Sequence, residues 1–132
     1  MPDRPAPLVQ ALGQIALTVG DVERSVAFYR DAVGLPFLFS AGPTLAFLDL
    51  AGVRLMLSAP EGELSAGSST MLYLKVADIH LAHSALRERG VPFVDEPHLI
   101  APMADHDLWM CFFRDPDAHT IALMSERPKA ER

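Results

Sequence analysis

QIALTVGDVERSVAFYRDAVGLPF, residues 14–37, lies over MLYLKVADIHLAHSALRERGVPF, residues 71–93, with its punctuation intact. Leu17, Val19, Asp21 and Arg30 fall on Leu74, Val76, Asp78 and Arg87; after a one-residue gap Gly34, Pro36 and Phe37 fall on Gly90, Pro92 and Phe93. Self-similarity of this kind marks a repeated structural unit. Each copy opens with an apolar strand and then an Asp, a side chain that accepts hydrogen bonds from the first free amides of a helix. Val22, Val26, Tyr29 and Val33 recur at helical spacing, as do Ile79, Ala82 and Leu86, so each helix has one buried face. Gly34 and Gly90 suit the left-handed position that ends a helix, and the prolines at 36 and 92 place the next strand at an edge or in an irregular position.

The second half of each unit also corresponds. AFLDLAGVRLMLS (46–58) lies over CFFRDPDAHTIALMS (111–125), each reading as two strands joined by a turn that contains Gly or Asp-Pro. The unit is therefore βαβββ, and the fold class expected is α+β, a single domain over 1–132. Module one spans about 11–58, a Gly-, Ser- and Glu-rich linker 59–70, module two 71–125, and a polar tail 126–132.

The chain has 132 residues, half of them apolar, which is enough to bury one core. Its 11 basic and 17 acidic residues give a net charge of −6 and are scattered, so no basic footprint for nucleic acid or an anionic membrane exists. The expected partner is a small molecule or another protein. The single cysteine, Cys111, can form no intrachain disulfide, and the first ten residues carry charges and prolines where a secretory leader has an apolar run. A cytoplasmic protein is expected.

IALTVGDVERSVAFYRDAVGLPF, LAGVRLML, LYLKVADI and FFRDPDAHTIALM together resemble the vicinal oxygen chelate superfamily, which includes glyoxalase I, extradiol dioxygenases and bleomycin-resistance proteins. The last segment is similar to that family's DPxGNxxEL ending. The resemblance covers nearly the whole chain. It implies curved mixed sheets around a cup-shaped cavity, and a homodimer, because relatives often complete their cups across a two-fold interface. It does not imply one chemistry, since the family hosts isomerisation, ring cleavage, epoxide opening and plain sequestration.

Side chains alternate faces along a strand. Ile15, Leu17 and Val19, Leu55 and Leu57, Leu72, Leu74 and Val76, and Ile121 and Leu123 form aliphatic sets that belong under the helices. The opposite sets are mixed: Gln14, Ala16 and Thr18; Arg54, Met56 and Ser58; Met71, Tyr73 and Lys75; Thr120, Ala122 and Met124. By resemblance these line the cup, with the composition of a ligand pocket. Ligand-binding candidates are Gln14, Arg54, Met56, Met71, Tyr73, Lys75, Trp109 and Ala122, with Arg54 and Lys75 suited to an anionic group and Trp109 to a stacking wall.

In metal-dependent relatives the ligands come from the first and last strands of each module. Carried over, those positions are Gln14, Met56, Met71 and Ala122, where only Gln14 offers a suitable oxygen, so no divalent metal cofactor is expected there. His98, Asp105, His106 and Asp107 cluster around a hairpin between a strand near His98 and one from Leu108, where the two histidines would meet. His98, His106 and Tyr73 are the candidate catalytic residues. His80, His83 and His119 read as surface residues. The reading favoured is a metal-free, bleomycin-resistance-like protein that sequesters a small amphipathic or anionic compound. The alternatives are a lyase, isomerase or dioxygenase-like enzyme using His98 and His106 or a relocated metal site, and a member acting only through protein partners.

Overall fold

The computed structural model describes residues 8–60 and 71–129; most of the expected linker and the end of the tail lie outside the described residues. Module one runs β1 (Gln14–Thr18), α1 (Val22–Ala27) with a π-helical continuation (Phe28–Val33), β2 (Phe37–Ser40), β3 (Leu45–Leu50) and β4 (Val53–Ser58). Module two runs β5 (Leu72–Lys75), α2 (Ile79–Glu88), β6 (His98–Pro102), β7 (His106–Arg114) and β8 (Thr120–Pro128). The sheets have the orders β1-β4-β3-β2 and β5-β8-β7-β6, in which the first strand of each module lies parallel to its last and the other neighbours are antiparallel. This is the expected α+β repeat, and among the described residues the strands do not close into a barrel.

The helix starts follow from their caps. Asp21 accepts from the Arg24 amide at 3.1 Å and Asp78 from the Leu81 amide at 3.1 Å, each satisfying a donor the helix cannot. Gly34 and Gly90 close the helical segments at φ +95° and +91°, a conformation that costs other residues. Between them lies the difference between the modules. The one-residue gap in the repeat falls in the last turn of the first helix, where the chain widens into a π turn and both the Gly34 and Leu35 amides return to the Tyr29 carbonyl. A π turn absorbs an inserted residue without moving the glycine that follows.

Two further features differ from the sequence reading. After Pro92 only an isolated bridge, Phe93 with Phe113, forms, and the strand equivalent to β2 begins later, at His98. β8 also continues beyond module two's expected end, because Glu126, Arg127 and Pro128 pair with Leu108, Asp107 and His106 of the long strand β7. Part of the expected polar tail is thus strand.

One core runs through both modules. Leu17, Val19, Leu55 and Leu57 of the first and Leu72, Ile121 and Leu123 of the second belong to it, together with Val26, Tyr29, Ile79 and Leu86 from the helical segments. The aliphatic strand sets thus face the helices, as their alternation implied, and Phe28 reaches across to Phe113 with ring centroids 6.1 Å apart. The opposite face of each sheet looks away from this shared core.

Candidate functional site

Cross-strand partners share a face, so the strand registers map the open faces residue by residue. On the first sheet Gln14 pairs with Arg54, Ala16 with Met56 and Met56 with Phe47, beside which Phe39 stacks at 4.6 Å. On the second, Tyr73, Ala122 and Phe112 form one row, and Lys75, Met124, Met110 and His98 the next. Gln14, Tyr73, Lys75 and His98 stand on edge strands, and Met56, Phe47, Met110, Phe112 and Met124 on inner ones. Tyr73 is 51% exposed. A largely apolar cleft of about 320 Å³ runs along the β5 edge, lined by Val33, Leu35 and Leu50 of module one and by Tyr73, Leu74 and Lys75 among others of module two. A larger, more polar cleft of about 680 Å³, between α1 and the β2–β3 turn, holds none of the expected site residues.

The four positions that correspond to metal ligands in relatives offer one carboxamide and two thioethers, Ala122 offering nothing. The Gln14 amide donates to the Met56 sulfur at 3.6 Å, and the Tyr73 hydroxyl lies 3.9 Å from the Met71 sulfur. That donor set does not fit a hard or borderline dication, which takes carboxylate, imidazole or thiolate. Among the described residues no group of three or more His, Cys, Asp or Glu side chains is placed to hold a metal ion.

His98 and His106 do not meet. The hairpin tip lies at residues 103–105, where the Met103 amide donates to the His106 carbonyl, so His98 pairs with Met110 and His106 with Pro128. Four residue steps along β7, from His106 to Met110, separate the two by about 13 Å. His98 Nδ1 lies 2.8 Å from the Glu96 carbonyl oxygen and 3.7 Å from Asp95; a carbonyl only accepts, so Nδ1 carries a proton, and in the neutral ring Nε2 is the acceptor. His106 lies with Nδ1 2.7 Å from Asp105, whose carboxyl this contact holds below the usual range, and with Nε2 3.9 Å from Glu126. Lys75 Nζ donates to the same Glu126 at 3.0 Å.

Trp109 is set apart from the other candidates. It shares a face with Cys111 and Phe113 towards the helices, touches the His80 ring at 5.4 Å and carries the Arg127 guanidinium 5.1 Å above it. It does not wall the open face. His80 is exposed, as expected, but His83 and His119 are buried. His83 packs on Phe93 at 4.3 Å, with Nε2 3.4 Å from Glu96. His119 Nε2 donates to the Thr18 carbonyl at 2.8 Å, while its buried Nδ1 has no hydrogen-bond partner among the described residues.

His119 belongs to a polar clasp between the modules. The Tyr29 hydroxyl donates to Asp115 at 2.7 Å, and Asp117 accepts from the Gly20 amide, Arg24 and Ser25. Asp115 also accepts from the amides of Asp117 and His119, each at 2.9 Å. Burial, with the Asp115 carboxylate next in weight, pushes the Tyr29 phenol far above its ordinary range. Burial likewise raises the Cys111 thiol to about 12, helped by Asp95 and Glu96.

The chain belongs to the Glyoxalase/Bleomycin resistance protein/Dioxygenase superfamily, whose family model matches residues 11–123. It is 32% identical over 130 residues to the uncharacterized protein YraH of Bacillus subtilis (strain 168), covering 83% of this chain and 94% of that one. A member of the same superfamily from Sphaerobacter thermophilus DSM 20745 superposes with a TM-score of 0.75 at 22% identity, covering 91% of this chain and 100% of that chain. A lactoylglutathione lyase from Agrobacterium tumefaciens gives 0.74 at 18% identity, covering 90% and 96%. At those identities the two structures speak for the fold alone.

Proposed function

We propose that this protein binds a small amphipathic or anionic compound on the open faces of its sheets, without a metal ion, and sequesters it rather than transforming it. The observation that carries the reading is the make-up of those faces. Met56, Met71, Met110 and Met124 supply adaptable apolar lining, Arg54 and Lys75 supply positive charge, and the positions that would hold a dication lack the donors for one. Each chain offers its two open faces on the sides turned from its core, and a homodimer would set a second wall against them. A monomer in sedimentation at micromolar concentration would count against that part. The single buried thiol suits a reducing, cytoplasmic setting.

A second reading, a lyase or isomerase, draws support from His98, whose Nδ1 contact leaves Nε2 free to accept a proton. The two readings part on turnover. Stoichiometric, saturable binding of a screened compound that is recovered unchanged supports sequestration. Conversion that survives chelators and is lost in His98→Gln supports the enzyme.

A further inference from the structure

Lys75, Met124, Met110 and His98 form one row across all four strands of the second sheet, all on the open face. The two ends of the row differ chemically. At one end Lys75 is an ammonium that spends one N–H on Glu126 at 3.0 Å and has two more to offer. At the other, His98 is held through Nδ1 by the Glu96 carbonyl, so that in the neutral ring the lone pair is on Nε2. The strand segment that carries His98 is itself pinned, because Asp95 accepts from the Phe112 amide at 2.8 Å and the Val94 amide donates to the Phe112 carbonyl at 2.9 Å. Between the ends lie two thioethers, which favour the face or edge of an aromatic ring.

We infer that this row selects a flat, ring-containing acid that carries a hydroxyl at the end opposite its anionic group: Lys75 takes the anion, Met124 and Met110 the ring, and His98 Nε2 accepts the hydroxyl proton in a hydrogen bond. The inference rests on the proposed ligand-binding role of the open faces and adds the chemical class. The dimensions agree with it. Three inter-strand steps separate the backbones at the two ends of the row by about 14 Å, a width that an elongated acid with a hydrogen bond at each end can bridge. A hydroxyphenyl ring bearing a three-carbon acid is one such ligand. His98 is thereby a specificity-determining residue, because a ligand without the hydroxyl leaves its acceptor unpaired.

Calorimetric titration with 4-hydroxycinnamate and 4-methoxycinnamate tests this, since the two differ only in the ability to donate at the far end. The wild-type protein is expected to bind the hydroxy acid about tenfold or more tightly. His98→Phe should abolish the difference between the two acids; His98→Gln, which keeps an acceptor oxygen, should retain part of it. Lys75→Met should weaken both acids alike. Equal affinities in the wild-type protein, or a preference that survives in His98→Phe, overturn the assignment of His98 and leave ligand binding by the open faces standing. Binding of neither acid overturns the inference, and a wider screen that also finds no amphipathic anion removes the reading beneath it.

Discussion

Replacing Tyr29 by phenylalanine removes one oxygen from the middle of the molecule. The ring is 1% exposed and its hydroxyl donates at 2.7 Å to Oδ2 of Asp115, itself 5% exposed. Oδ1 of Asp115 keeps the amides of Asp117 and His119, so the substitution strips one carboxylate oxygen of its donor and leaves the other served. A hydrogen bond to a charged group contributes about 1.5–3 kcal/mol, and an orphaned buried acceptor loses most of it, so about 2 kcal/mol of stability should go. For a domain of this size that is a fall of about 6 °C in Tm, measurable as a shifted urea midpoint at unchanged slope. Tyr73→Phe is the control. That hydroxyl is on an open face, and its loss should stay within about 0.5 kcal/mol. The pH dependence gives a second handle. Burial raises the Tyr29 phenol above its ordinary value of 10.0, so the folded chain keeps its proton after the unfolded chain has lost it. The stability this adds is complete below pH 10 and falls as pH climbs beyond it, with a slope of up to about 1.4 kcal/mol per pH unit. Tyr29→Phe lacks that slope, so the gap between variant and wild type should narrow from pH 10 upward. A variant as stable as wild type at pH 7, with the same alkaline decline, would refute the clasp as drawn.

Cys111, fully buried and raised from 9.0 to about 12, should add its own decline between those pH values, partly removed in Cys111→Ala, and its thiol should react with a disulfide reagent only as fast as the fold opens. Asp117→Ala leaves the Gly20 amide without its acceptor and frees Arg24 and Ser25, and should cost about 2–4 kcal/mol in urea unfolding. Elemental analysis after incubation with zinc, nickel, manganese or iron and removal of excess should find well under one metal per chain; a stoichiometric metal would restore a metalloenzyme.

The repeat made most of the fold legible. Paired Asp caps, paired glycines and aliphatic alternation are local signals, and each marks a feature of the structure; even the π turn is foreshadowed by the single gap between the copies. What depended on long-range pairing was not legible. Trp109 sits in LWMCFF, where both alternating sets are apolar, so composition could not say which faced the helices. No local signal sets the register of the hairpin that carries His98 and His106, and its tip at 103–105 holds the two apart. His83 and His119 carry no local mark of burial. Their cover comes from the segment after Pro92 and from β1, and only the folded chain brings those near. The clasp of Asp115 and Asp117 looked like part of a family turn motif, although the Tyr29 hydroxyl it receives lies 86 residues away.

The most direct test of the account uses protein labelled at its methionine methyl carbons and titrated with 4-hydroxycinnamate or the best binder from a screen of amphipathic acids. The account predicts saturable shifts of Met56, Met71, Met110 and Met124, the methionines on the open faces, while Met103 at the β6–β7 turn stays still. Shifts confined to Met103, or no shift with any compound tested, would contradict it.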